Sequence, residues 1–172
     1  MGRPSQDVSQ VVDRLVRDFK LQPHPEGGFY RETYRAAQNV RTAPNQHRSA
    51  STSIYYLLEG RAYSAWHRIA SDEIWHFYAG MPLHVHVLDD ERGLFTHTLG
   101  NPLQFPGTLF QAVVPAGCWF AAELAGPDAY AFVGCTVAPG FEFSEFELAD
   151  PADLQRRHPE HSALIKRLEK PA

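Results

Sequence analysis

Between Ser51 and Val137 the chain is cut into short β-prone runs by a steady series of turn signals. These are Glu59-Gly60, Gly80-Met-Pro, the Asp89-Asp-Glu-Arg-Gly stretch, Gly100-Asn-Pro, Pro106-Gly, Pro115-Ala-Gly and Gly126-Pro-Asp. No stretch of helical period and length lies among them, so parallel βαβ units are excluded and an antiparallel sandwich or barrel is expected. Leu83 to Leu88 (LHVHVL) alternates cleanly, with Leu83, Val85 and Val87 as its core face. Further strands are expected at Leu94–Leu99, Gln111–Val114, Cys118–Glu123 and Ala129–Val137. Helical spacing appears only at the ends. Val8, Val11, Val12, Leu15, Val16 and Phe19 line one face of an N-terminal helix over about residues 5–20, with Ser5 as N-cap, and Pro23 and Pro25 stop it. Capping chemistry at Asp150-Pro151 and the run Pro159–Leu168 predict two short helices over about 150–169. The reading is a single domain over residues 1–172, with the barrel at about 27–145.

Residues 26–35 (EGGFYRETYR) couple a glycine pair to an alternating strand. Phe29, Arg31 and Thr33 fall on one face, and Tyr30, Glu32 and Tyr34 on the other. Residues 36–50 are polar and aperiodic and read as a surface loop carrying a solvated His47. Acidic residues number 20 against 16 basic, a net charge of −4 without a basic block, which argues against a nucleic-acid partner. Apolar runs are short and the first ten residues lack a hydrophobic region, so a soluble, cytoplasmic protein with no membrane partner is expected. Cys118 and Cys135 are too few for a disulfide scaffold and read as buried thiols. No GxSxG elbow and no Gly-rich phosphate loop occurs, which removes serine-hydrolase and nucleotide-hydrolysis mechanisms from consideration.

Chemistry concentrates in Tyr63 to Gly80, YSAWHRIASDEIWHFYAG. Strand alternation puts His67 on a face with Tyr63, Ala65 and Ile69, and Glu73 on a face with Trp75 and Phe77, so imidazole and carboxyl both point into one aromatic-lined cavity. Such a pair can ligate a metal, transfer protons, or form a buried structural contact. Two protein groups are too few for a stable metal site. His76 falls on the opposite strand face from Glu73, and His84 and His86 share the face opposite Leu83, Val85 and Val87. Arg31, Ser53, Tyr55 and Gln111 are candidate ligand-orienting groups, with Trp75 and Trp119 as flat apolar walls.

The run His67-x-Ile69-x-x-x-Glu73 followed by Gly80 resembles the first cupin motif, and Pro115-Ala-Gly117 resembles the core of the second. Together HPEGGFYRETYR, SxWHRxxSDEIWHFYAG, VPAGCWF and VGCTVAPGFEF resemble the functionally unassigned cupin family called DUF985 or Cupin_5, over about residues 8–168. The resemblance implies a mainly β fold, the double-stranded β-helix or cupin jelly-roll barrel with an N-terminal helix and short C-terminal helices, and a homodimer. Metal-binding cupins use two histidines and a glutamate from the first motif and a histidine from the second. Here Ile69 and Phe120 stand at two of those positions, and Leu124 stands where the second motif closes with asparagine. Only His67 and Glu73 remain as candidate catalytic residues and as candidate ligands for a divalent Fe, Mn, Ni or Zn. The expected function is binding of a small polar metabolite in the barrel cavity, with metal-independent isomerase or epimerase chemistry on the His–Glu pair. The alternatives are a metal-dependent oxygenase or isomerase and a non-catalytic small-ligand binding module.

Overall fold

The computed structural model describes residues 7–171. Helix α1 (Val8–Asp18) is capped by Asp7, whose carboxylate accepts from the Ser9 N–H at 3.1 Å; Ser5, the cap expected from sequence, lies outside the described residues. Strands follow as β1 (Gln22–Pro23), β2 (Phe29–Arg35), β3 (Asn39–Ala43), β4 (Gln46–Ser49), β5 (Thr52–Glu59), β6 (Tyr63–Arg68) and β7 (Asp72–Gly80). They continue as β8 (Leu83–Asp89), β9 (Gly93–Leu99), β10 (Gln111–Val114), β11 (Trp119–Leu124), β12 (Tyr130–Ala138) and β13 (Glu147–Leu148). Two helices close the chain, α2 (Pro151–Arg157) and α3 (Ser162–Arg167). Asp150 caps α2 through the Ala152 N–H at 2.9 Å, with Pro151 in the first turn as its fixed φ favours.

Two antiparallel sheets face one another, one in the order β1-β2-β5-β12-β7-β10 and the other in the order β13-β6-β11-β8-β9. This is the antiparallel sandwich expected from the turn spacing, in the jelly-roll form that the resemblance implies. Its core comes from the inward positions of both sheets, among them Tyr56, Leu58, Trp75, Val85, Val87 and Phe120. The outward positions are also buried where helices cover them. Leu57, Phe132, Phe29 and Tyr55 pack beneath α1, and Trp66, Leu88, Trp119 and Ala121 pack beneath Leu154, Ile165 and Leu168 of the C-terminal segment. Covering both outer faces hides apolar surface that a bare sandwich would leave wet.

Residues 36–50, expected to be a loop, form the β3–β4 hairpin, with Val40 opposite Arg48. The segment looks polar because its anchor is itself an arginine. Arg48 is buried and donates to Gly140 O at 2.9 Å, Ser71 Oγ at 2.8 Å and Pro139 O at 2.8 Å, and it forms an ion pair with Glu145. Such satisfaction allows a guanidinium in a core. His47 is exposed, as expected.

Two bulges redirect side chains around the cavity. In β2, Glu32 pairs with Ile54 and Tyr34 with Ser53, so Thr33 is extra and Arg35 returns to the Glu32 face. In β6, His67 pairs with Phe120 and Ser64 with Ala122, which breaks the alternation. Tyr63, placed by parity beside His67, instead packs in the outer cluster under the C-terminal segment and donates to Glu169 O at 2.8 Å.

Candidate functional site

The cavity opens between β2, the β5–β12–β7 strands and the Phe141–Phe146 segment, and encloses about 160 Å³. Its inner end is polar. His24 and Glu26, from the turn before β2, meet His67 of β6 and Glu73 of β7, with the Cys135 thiol of β12 beside them. Glu32, Arg35 and Glu142 stand at the solvent end beside the half-exposed Phe143.

Gly27 and Gly28 bring Glu26 to this position. Their φ angles are +115° and +75°, and the backbone here runs so close to β6 and β5 that a Cβ on Gly27 would lie 2.1 Å from Tyr63 O, and one on Gly28 would lie 2.6 Å from Leu57 O. Only glycine combines that dihedral with that proximity. The buried Tyr56 hydroxyl donates to Gly27 O at 2.7 Å and holds the turn.

His67 Nδ1 lies 2.7 Å from Ala65 O and 2.9 Å from Glu26 Oε2. Both neighbours are acceptors, so Nδ1 carries a proton and Nε2 is the exchangeable position. The N–H is aligned on Ala65 O, and Glu26 contributes chiefly through charge. Burial alone would lower the His67 pKa, but the Glu26 charge and contact outweigh it with help from Glu73, so the imidazole is held above its ordinary value. Glu26 moves the opposite way: burial disfavours its charge, yet His67 and His24 keep its carboxyl below the usual range. His24 accepts the Glu26 N–H on Nδ1 at 3.2 Å and is pushed down by burial, consistent with a neutral ring.

Glu73 differs from Glu26. The Cys135 thiol stands beside it, and burial pushes the Glu73 pKa up to about 7, against the pull of His67 and of that thiol. Cys135 is itself pushed up by burial and by Glu73 and stays a thiol. One cavity thus holds a carboxyl biased toward its ionised form, an imidazole biased toward its charged form and a carboxyl poised near neutrality, a separation of environments typical of acid–base sites.

Of the residues singled out from sequence, His67 and Glu73 line this cavity and the others do not. Arg31 is exposed and donates to Phe19 O at 3.2 Å, tying β2 to the end of α1. Ser53 Oγ pairs with Thr136 Oγ1 at 3.3 Å, and Tyr55 stacks on Phe132 at 5.1 Å beneath α1. Both sit on the outer face of β5, where alternation gives the inner face to Thr52, Ile54 and Tyr56. Gln111 Nε2 donates to His76 Nδ1 at 3.2 Å on the outer face of β7 and β10. Trp119 lies in the outer cluster, with Arg68 4.4 Å above its ring. Trp75 is in the core, edge-on to Tyr56 at 5.9 Å, and does not line the cavity. His84 and His86 face away from the core as expected, His86 lying between Thr96 and Glu123.

His24, Glu26 and Arg35 were missed. His24 and Glu26 precede the glycine pair, and the close backbone approach that such a pair permits was the available signal. Arg35 needed the β2 bulge, which alternation cannot reveal. The donor set also speaks to a metal. Ile69 and Phe120 are both buried in the apolar core, the Phe120 ring standing 4.0 Å from that of His67. Although His24, Glu26, His67, Glu73 and Cys135 line the same cavity, among the described residues no three His, Cys, Asp or Glu side chains are arranged so that they could hold a metal ion. The residues present do not fit a cupin metal centre. None of the described helices is long and apolar enough to cross a membrane.

Comparison with known proteins sets this site in a family. No curated protein matches the chain. Among solved structures, a hypothetical protein from Leishmania major is 33% identical, with a TM-score of 0.84 over 92% of this chain and 98% of its own. A protein from Shewanella oneidensis is 36% identical, with a TM-score of 0.82 over 93% of this chain and 98% of its own. An oxalate decarboxylase from Bacillus subtilis, 16% identical, aligns with 87% of this chain and 37% of its own at a TM-score of 0.52, a likeness of fold alone. The family described as Cupin_5, cupin superfamily (DUF985), matches residues 13–149, and with the motif residues on facing strands of a jelly roll the chain belongs to that family.

Proposed function

We propose that the protein binds a small polar metabolite in the barrel cavity and moves a proton on it without a metal, as an isomerase or epimerase does. The observation that carries this reading is the pairing, in one cavity, of a carboxyl pushed to about 7 with an imidazole charged by a second carboxylate. Near neutral pH, Glu73 as carboxylate takes the proton from a carbon beside a carbonyl. The His67 imidazolium, supported by Glu26, gives its Nε2 proton to the carbonyl oxygen, and the bonding electrons settle as an enediol. Return of a proton to the neighbouring carbon, with loss of the hydroxyl proton back to His67, gives the isomer. Matching a base to the working pH makes such a step efficient.

The test is incorporation of solvent deuterium into a panel of hydroxycarbonyl compounds, followed by NMR, for wild type and His67→Ala. Exchange on at least one compound is expected, with a loss of roughly 10²–10⁴-fold in the variant. Equal rates would remove His67 from the mechanism, and a folded wild type that exchanges nothing while still binding its ligand would leave a binding module.

A further inference from the structure

The charges around the cavity restrict its occupant more sharply than the acid–base pair does. Arg35 is the only Lys or Arg among the described lining residues. Four of its five N–H donors are taken: Nε and Nη2 donate to the two Glu32 oxygens at 2.9 and 3.0 Å, Nη1 donates to Glu142 at 2.9 Å, and Nη2 also reaches Phe141 O at 2.9 Å. Deeper in, the positive charge of His67 is matched by Glu26, and His24 accepts a backbone N–H on one nitrogen. The carboxylates of Glu26, Glu32 and Glu142 therefore outnumber the cations Arg35 and His67 before Glu73 ionises at all. A carboxylate or phosphate entering here would meet net negative charge, screened by water at the entrance and little screened around Glu26 and His67.

Hydrogen-bond supply points the same way. Glu26 Oε2 is buried 2.9 Å from His67 Nδ1, but the His67 N–H is aligned on Ala65 O, so the carboxylate keeps acceptor capacity free. Glu26 is more than nine-tenths buried at the side chain and borders the cavity. Beside Glu73 stands the Cys135 thiol, a weak donor. Buried acceptors left open are costly unless a ligand supplies O–H or N–H groups. Size sets the third limit. At about 160 Å³ the space is close to an engineered cavity of about 150 Å³ that accepts benzene, with its six ring carbons.

Building on the proposed acid–base reading, we propose that the metabolite is an uncharged hydroxycarbonyl compound of triose size, rich in hydroxyl donors, and that its phosphorylated and carboxylated counterparts are rejected. Glu26 and Glu73 receive its hydroxyls, and the Arg35–Glu32–Glu142 cluster at the solvent end excludes anions by keeping its one guanidinium occupied.

The experiment compares dihydroxyacetone, dihydroxyacetone phosphate and glycerate by saturation-transfer NMR and calorimetry. It uses wild type and the double variant Glu32→Gln with Glu142→Gln, each checked for folding by circular dichroism. Wild type is expected to bind dihydroxyacetone at least about tenfold more tightly than either anion, a margin of about 1.4 kcal/mol. The double variant frees Arg35 and is expected to move that ratio toward glycerate by about tenfold. Wild type binding an anion as well as the neutral compound, or none of the three at tens of millimolar, overturns the proposal, as does a folded double variant with unchanged preference. Deuterium exchange is read separately. Neutral preference without exchange removes the proton-transfer reading and leaves the ligand class standing, whereas exchange on an anionic compound does the reverse.

Discussion

Glu73→Gln is expected to cut proton exchange on the bound ligand by roughly 10²–10⁴-fold while making the protein more stable at alkaline pH. Glutamine keeps the size of the side chain and removes the group that titrates. In the folded protein the Glu73 carboxyl titrates at about 7, raised from an ordinary 4.5. Below the ordinary value both folded and unfolded chains hold the proton and nothing is lost. As pH rises from there to about 7 the unfolded chain ionises while the folded one resists, so stability falls. Above that range the loss is complete, about 3 kcal/mol for a shift of this size.

His67 acts in the same direction, since its raised pKa stabilises the fold below the ordinary histidine value and the benefit disappears as pH climbs through the folded value. Glu26, held low, gives stability above the ordinary carboxylate value that is lost as pH falls through its folded pKa. Wild type should therefore be most stable on the mildly acidic side of neutrality and weaken on both sides. In Glu73→Gln the alkaline limb flattens, with a gain in melting temperature of roughly 6–12 °C above neutrality. Melting curves for the variant and wild type that run parallel across the pH range would show that Glu73 titrates as an ordinary surface carboxyl. A residue whose removal stabilises the fold and silences it is the mark of a site built at the expense of stability.

The second large effect belongs to Gly27→Ala. A Cβ there would lie 2.1 Å from the carbonyl oxygen of Tyr63 on β6, at a φ of +115° that L side chains avoid. The neighbour is backbone within a paired strand, so neither partner yields cheaply. A loss of about 3 kcal/mol or more is expected, which lowers the melting temperature by roughly 6–12 °C. Because Glu26 precedes this residue, the shift also draws its carboxylate away from His67, so exchange should fall along with stability. Gly60→Ala is the control: its φ is +58°, but nothing lies within 4 Å of the added methyl. That change should cost only about 1–2 kcal/mol. If the two variants melt alike, the close approach of the turn to β6 does not bear on stability.

Much of the fold was legible because it rests on local signals. Turn residues separated the strands, alternation in Leu83–Leu88 assigned its two faces, and Asp150-Pro151 marked a helix start that the structure places one residue on. What escaped depends on distant partners. Arg48 looks like a loop residue until Gly140, Pro139 and Ser71 surround it. The outer faces of β5 and β11 are apolar because helices cover them, so Tyr55 read as a ligand-orienting group and Trp119 as a cavity wall when both are packing surfaces.

For the site, His67 and Glu73 were legible from their spacing in the motif, and Ile69 and Phe120 from the motif's departures. The partner that charges His67 was not, because Glu26 arrives from a turn some forty residues away in sequence. The pocket is less a His–Glu pair than a histidine set between two carboxyls of opposite habit.

Glu73 is a buried carboxyl titrating near neutrality in the same cavity as a His67 biased toward its charged form. This is tested most directly by following the side-chain carboxyl carbon of Glu73 by NMR through a pH titration of ¹³C-glutamate-labelled protein, assigned with Glu73→Gln. A midpoint at about 7 is expected, accompanied by a shift of the His67 ring signals through their charge coupling. A midpoint at the ordinary carboxylate value, with His67 indifferent to it, would show that Glu73 and His67 do not form a coupled acid–base pair.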